Sequence, residues 1–421
     1  MLRFQKWDAY RVYLILEFMT AFSLTTCWTM ASLYFIREVG LNPLQLVLVG
    51  TALEVSAFLL EVPTGIVADV YSRRLSIIIG CLLLGSGFLI VGLFPVYALI
   101  LFSQLVTGAG YTFISGAMAA WLADEIGEER AGKADLRASQ VGGVAGILAI
   151  IFSTGLATVY LSLPIQVGAL LMLVTAFFAM LFMPEAGFTP TPKAEREGFR
   201  AMTRTFSEGV KVVRGRPVLM TLLVIGVLFG AYSEGFDRLW QYHVLNNFTL
   251  PLFGEVSEPV WFGTIGVIGS IIGLLFVEVT RRRVEMTDPR SLARTLVVVN
   301  ILLIACAATF AFARNFTVAI AAFWMIGPLR GLNGPLQMSW INLGLDSKVR
   351  ATVNSMTAQS DAIGQMLGGP GVGWIGQQFG VRVALGLGAV ILSPVVVLFA
   401  RTLRGSEAVV VASSTETAAG D

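Results

Sequence analysis

The residues of this chain that can do chemistry are ionisable side chains set inside apolar sequence. Glu17, Glu54, Glu61, Glu234, Asp237, Arg238, Arg330 and Asp361 all lie within long apolar segments. A charged group at membrane depth costs on the order of 2.5–3.5 kcal/mol by insertion scales unless it meets water, a partner or a proton. Groups retained there are candidates for proton transfer, ion pairing or contact with a polar cavity. Glu54 stands about ten residues into its segment, near the expected midplane, and Glu61 follows seven residues later. Seven residues turn a helix by about 700°, so both carboxylates fall on one face roughly 10 Å apart along the axis. Glu54, Glu61, Glu17 and Asp361 are therefore the proton-coupling candidates. Two of them carry a second reading of equal weight: Glu17, close to its segment's start, as a snorkelling or gate contact, and Glu61 as a brace for the charged turn that follows.

That turn carries Gly65, Asp69, Arg73 and Arg74. Charges in a short turn between two spans can clamp one conformational state and release another, so the four residues read as a gate. Glu234, Asp237 and Arg238 share neighbouring parts of one helical face and form a charged cluster in the second half, read first as an outer gate and second as a substrate contact. Arg330 and Asp361 have similar expected depths on consecutive antiparallel spans, which predicts an ion pair. Gln104, Tyr111 and Ser115, with Thr107 and Thr112 beside them, are cavity candidates on one span, and Arg330, Asn333 and Gln337 on another. Cys27, Cys81 and Cys306 have no metal-ligand spacing and read as packing residues. His243 is the single histidine. No metal site is proposed.

The elements that must hold these groups follow from composition. A 421-residue chain with 56% hydrophobic and 13% charged residues has too little polar surface for a water-soluble fold, and its mean hydropathy is +0.77. The net charge of +2 excludes the dense basic face of a nucleic-acid binder. Helices of about 20 apolar residues cross a bilayer, and twelve such segments are expected near 11–36, 44–68, 75–94, 97–122, 139–160, 163–183, 217–244, 259–280, 292–313, 316–343, 351–379 and 381–403. The first is longer than a signal-peptide core and is read as a retained span. The fold class is an all-α membrane protein.

About 24 of the 29 Lys and Arg residues fall at the N-terminus, the even-numbered loops and the C-terminus, which predicts that both termini are cytoplasmic. The organisation expected is a six-helix half over 1–190, a cytoplasmic linker over 191–216 with an amphipathic helix from Phe199 to Val213, a second six-helix half over 217–404, and a disordered tail over 405–421. Trp121, Asp124, Arg130 and Gln140 are echoed by Trp340, Asp346, Arg350 and Gln359. Such a duplication places substrate at the midplane between halves. The charged turn repeats only weakly, as Gly273, Glu278 and Arg281 to Arg283.

Gly65, Asp69, Arg73 and Arg74 match, in spacing, the signature between the second and third helices of the major facilitator superfamily, with Ser72 where a glycine is usual. Glu61, Pro63, Asp69, Arg73 and Arg74 follow the variant E-x-P-x5-D-x3-R-[RK], which resembles the P-type tetracycline efflux proteins. Further similarity lies in Pro43–Gly80, Tyr111–Lys133, Tyr232–Pro251 and Asp346–Gln365. The sequence departs from other drug antiporters at Gln104, where a proton-relay arginine would precede Gly108 and Gly110, and it lacks their Gly-Pro step in the fifth helix. Gly142, Gly143 and Gly146 there read as helix packing, and Gly368 to Gly371 as a bend in the eleventh span.

The resemblance implies the major facilitator fold, two six-helix halves, and a monomeric multi-pass protein of a bacterial inner membrane. It implies no enzyme and no bound cofactor, but a proton-coupled secondary exporter of a small amphipathic drug, tetracycline first, carried alone or with a divalent cation. Its partners are the drug and the lipid bilayer. The absence of a Walker-type phosphate loop fits secondary transport. The alternatives are a multidrug or metabolite exporter of another substrate, a proton-coupled solute symporter, or a membrane receptor or scaffold without flux.

Overall fold

The computed structural model describes residues 7–190, 217–250, 257–283, 288–342 and 347–418. The expected amphipathic linker helix and the repeat residue Asp346 lie outside the described residues. Among the described residues there are thirteen helices and no strand: α1 (Ala9–Arg37), α2 (Pro43–Val70), α3 (Arg73–Leu93), α4 (Tyr97–Ile114), α5 (Ala117–Ile126), α6 (Glu128–Ala157), α7 (Leu163–Phe182), α8 (Pro217–Asn247), α9 (Glu258–Arg283), α10 (Pro289–Phe312), α11 (Phe316–Asn342), α12 (Ser347–Phe379) and α13 (Val381–Ala418). The last runs through residues 405–418 that the sequence reading assigns to a tail.

Local chemistry sets the starts of these helices. Asn42 and Gln45 form a reciprocal capping box on α2, with bonds of 2.9 and 3.0 Å, and Pro43 fills the first helical position, where no amide donor is needed. Asp288 caps α10 through the amides of Arg290 and Ser291 at 3.1 and 3.0 Å. Ser72 is extended (φ −176°), and its hydroxyl accepts from the Leu75 amide at 2.9 Å. A serine at this position caps α3, which a glycine could do only through its backbone.

Eleven helical segments are long and apolar enough to cross a membrane, with α4 and α5 counted together. The fourth expected span is thus divided, because Gly116 adopts φ +69° and interrupts the helical ladder after Ile114. The eleventh expected span, α12, is not among the apolar eleven. Its 33 residues carry Asp361, several glutamines and a run of glycines, yet they reach roughly 50 Å at 1.5 Å per residue, enough to span.

Two compact units emerge, Met1–Phe199 with Pro251–Val267, and Arg200–Leu250 with Ile268–Asp421. In the first, α1 packs on α6 and α7, and α3 on α4 and α7; in the second, α8 packs on α12 and α13, and α10 on α11 and α13. Counting α4 and α5 as one span, first-on-fifth-and-sixth becomes seventh-on-eleventh-and-twelfth, and third-on-fourth-and-sixth becomes ninth-on-tenth-and-twelfth. The architecture is all-α, with two six-helix halves, and these pairings repeat between them, although the packing of α2 on α4 has no comparable counterpart among the described residues of the second half.

Candidate functional site

In the second unit, α11 carries Gly327, Gly331 and Gly334 at i, i+4 and i+7, a stripe on one face that bears no side chains. Arg330, Asn333 and Gln337 border that stripe. Together with residues from α8 and α12 they line a cavity of about 670 Å³, onto which Asp237 and Asp361 also face. A second cavity of about 350 Å³ adjoins it, walled by Phe236, Trp240, Phe323 and Trp324; the two share Asp237, Gly327, Arg330 and Gly331. The smaller compartment is largely aromatic, and the larger carries most of the polar side chains. Glycines also fix where α12 stands: a Cβ at Gly230 would collide with the Asp361 carbonyl, and one at Gly364 with that of Val227. Gly226-x3-Gly230 and Gly364-x3-Gly368 bring the two backbones together in the manner of small-residue membrane interfaces.

The partner of Arg330 is Asp237, not Asp361. The guanidinium donates to both carboxylate oxygens, Nη1 to Oδ1 at 2.5 Å and Nη2 to Oδ2 at 2.8 Å, a fork geometry that fixes orientation as well as charge. Its carbon stands 5.7 and 5.8 Å from the ring centres of Tyr232 and Phe236, within cation–π range. Asp361 instead accepts from Gln365 at 2.8 Å. The expected pair failed because depth along a helix says nothing about which of two acidic helices the arginine turns towards.

The Glu234, Asp237, Arg238 cluster divides as well. Glu234 is buried and receives Arg238 at 3.1 Å, while Asp237 faces the cavity. Asn333 is held by Asn300, whose amide donates to its Oδ1 at 2.8 Å. Gln337 lines the cavity as expected of a contact residue. Gln104 and Thr107 do not line an open space: both are 0% exposed, packed within the first unit. Tyr111 accepts from the Trp28 indole at 2.9 Å, and Ser115 is exposed beside the α4–α5 break. Sequence reasoning missed the aromatic wall, although Phe236 and Trp240 flank Asp237 at a four-residue spacing.

The charged turn of the first unit is knit to Asp124, named in the sequence only for its place in the repeat, and to Glu185, which the sequence reading left aside. Arg73 pairs with Asp124 at 2.9 Å and stands 3.8 Å from Asp69. Glu185 accepts from the Ser72 hydroxyl at 2.8 and 2.9 Å and from the Arg74 amide at 2.9 Å, so a carboxylate sits at the positive end of α3. Arg74 also donates to the Met180 carbonyl. The loop after α7 is tied down further, because Glu125 accepts from the amides of Ala186 and Gly187 at 2.6 and 2.7 Å. The Trp121 indole donates to the Pro184 carbonyl at 2.7 Å.

Glu61 is exposed and Glu54 half-buried on α2, and Gly65 lies between Glu61 and the turn. Pro63 lies inside that helix, and the Thr64 hydroxyl bonds the Leu60 carbonyl at 2.8 Å. On α1, Glu17 lies against α6, where its Oε1 would stand 3.3 Å from a Cβ at Gly142. Tyr13 donates to Asp135 at 3.0 Å nearby.

The Major Facilitator Superfamily profile matches residues 13–368. The uncharacterised MFS-type transporter YxaM of Bacillus subtilis (strain 168) is 23% identical over 371 residues, covering 85% of this chain and 86% of that one. The nucleoside transporter NupG superposes with a TM-score of 0.72 at 15% identity, over 94% of this chain and 99% of that one. A POT family transporter with a thioalcohol-conjugated peptide superposes at 0.69 and 12%, over 94% and 96% of the two chains. The human organic anion transporter MFSD10 does so at 0.61 and 15%, over 93% and 99%.

Proposed function

The chain belongs to the Major Facilitator Superfamily and is a multi-pass membrane transporter, and from that premise we propose that it exports a small amphipathic, ring-bearing molecule in exchange for protons. The observation that carries this reading is the paired cavity of the second unit. An aromatic compartment of Phe236, Trp240, Phe323 and Trp324 offers ring faces, and the adjoining compartment offers Asp237, Arg330, Asn333, Gln337 and Asp361. Apolar walls with a few convergent polar groups are the usual make-up of a small-molecule site.

Transport proceeds by alternating access between the two six-helix halves, and the charged turn at Asp69, Arg73 and Arg74 acts as the gate of a cytoplasmic face on which both termini lie. Protons pass through membrane-depth carboxylates, Glu54 first, with Glu61, Glu17 and Asp361 as the other candidates. The resemblance of Glu61 to Arg74 to the P-type tetracycline efflux proteins makes tetracycline the first substrate to assay, free or with a divalent cation.

The test is flux in proteoliposomes holding the purified chain. With protons supplied on the side to which drug is exported, labelled tetracycline or another ring-bearing drug accumulates there against its gradient, and collapsing the pH difference stops it. Accumulation of solute together with the protons would overturn export in favour of symport. No flux with any solute, from protein that is folded and inserted, would overturn the transport of such molecules altogether.

A further inference from the structure

Among the described residues the paired cavity carries an unequal charge count. Two carboxylates, Asp237 and Asp361, and one guanidinium, Arg330, line the polar compartment. Arg330 is committed to Asp237 through both guanidinium nitrogens. Glu234 and Arg238 satisfy each other and add no net charge. Asp361 is therefore left facing the cavity with an uncharged donor, Gln365, as its bonded neighbour at 2.8 Å. Among the described residues no cation lies within ion-pair distance of it.

The aromatic compartment points to the same ligand. The rings of Trp240 and Phe323 stack at 4.4 Å, and Phe323 lies nearly parallel to Phe236 at 6.1 Å. A ring face carries the negative end of the aromatic quadrupole and a ring edge the positive end, so a stack offers negative potential at its open outer faces. A ligand ring stacks on such a face, and an organic cation over it is attracted. Among the described residues a carboxylate surplus of one and an aromatic wall thus line adjoining compartments.

We propose that the preferred substrate is an aromatic monocation, such as an amine-bearing drug, with its ring against Trp240 and Phe323 and its positive charge read by Asp361. This rests on the transporter reading above and adds the charge of the cargo to it. The size of the two compartments admits a drug-sized molecule and not a macromolecule. Arg330 is not available to an anionic substrate without breaking the fork to Asp237.

The matched ions tetraphenylphosphonium and tetraphenylborate test the idea, since they share shape and ring content and differ in the sign of charge. Binding of each to the purified, full-length protein is measured by equilibrium dialysis at several detergent concentrations, which separates binding to protein from partition into micelles. The phosphonium is expected to bind at least tenfold more tightly than the borate, and Asp361→Asn to lower phosphonium affinity by about tenfold or more, as loss of one charge-assisted contact does. Asp361→Glu, which keeps the charge, is expected to retain most of the binding.

Equal binding of the two ions, tighter binding of the borate, no binding of either, or an unchanged phosphonium affinity in Asp361→Asn would each overturn the proposal. Wild-type discrimination between the ions decides the matter even if Asp361→Asn fails to fold. Flux separates this failure from that of the broader reading: a protein that pumps neutral or anionic drugs without charge preference is a transporter to which the cation assignment does not apply.

Discussion

Exchange of Arg330 and Asp237 for neutral isosteres measures how firmly the cavity wall is held. The pair makes two charge-assisted bonds at 2.5 and 2.8 Å, each worth about 1.5–3 kcal/mol when well shielded. Shielding here is incomplete, since the Asp237 side chain is 49% exposed and that of Arg330 25%, and exposed pairs contribute about 0.2–1 kcal/mol. An intermediate coupling of about 2 kcal/mol is expected from a double-mutant cycle of Asp237→Asn and Arg330→Gln.

The single changes are unequal. Asp237→Asn leaves Arg330 with two ring faces and with Asp361 in the same cavity, whereas Arg330→Gln leaves two carboxylates there without a cation. Arg330→Gln should therefore cost about 1 kcal/mol more than Asp237→Asn. Equilibrium unfolding of purified protein in mixed micelles gives the free energies. The same cycle run on Arg330 and Asp361 should couple by less than about 0.5 kcal/mol. Additive losses for Arg330 and Asp237, or stronger coupling of Arg330 to Asp361, would refute the assignment of partners.

Glu54→Gln keeps the shape and hydrogen-bonding capacity of the side chain but cannot carry a proton. Folded Glu54→Gln protein is expected to lose efflux driven by a pH gradient while keeping downhill counterflow, and normal uphill efflux would remove Glu54 from the proton path. Glu185→Gln removes the charge at the N-terminus of α3 and should cost about 1–2 kcal/mol, seen as faster amide exchange in the Ser72 to Ser76 turn; unchanged exchange there would mean that the carboxylate does not hold that turn. Gly108→Ala should lower the yield of folded protein sharply, because its Cβ would stand 2.6 Å from the Leu53 carbonyl oxygen. Gly143→Ala, which meets nothing within 4 Å, should leave the yield unchanged.

The spans were legible because apolar runs of about 20 residues leave few alternatives to a crossing helix, and the cavity residues Arg330, Asn333 and Gln337 because a polar group inside such a run must face something polar; Asp361 was singled out as a proton carrier and a partner of Arg330, not as a cavity residue. Azimuth was not legible. Asp237 lies ten residues before the end of α8 at Asn247, and Arg330 fourteen after the start of α11 at Phe316. That offset is small enough for a long guanidinium to bridge, but only packing shows that the two faces meet. Gln104 was misread for a related reason: a polar residue three places from Thr107 marks a face without saying whether that face meets a cavity or another helix. Glu185 was hidden because it opens a charge-rich linker, where a carboxylate looks like solvated sequence until its loop is seen folded against α3 and α5.

The ten residues of α5 lie between Gly116 at φ +69° and Gly127 at φ +85°, angles that cost an ordinary side chain about 1–2 kcal/mol. A short rod with a swivel at each end behaves as a crank. Its two attachments, Trp121 to the Pro184 carbonyl and Asp124 to Arg73, sit between the swivels. A displacement of the charged turn is therefore expected to reach the end of α7 by two routes, directly through Arg74 and Glu185 and indirectly through α5.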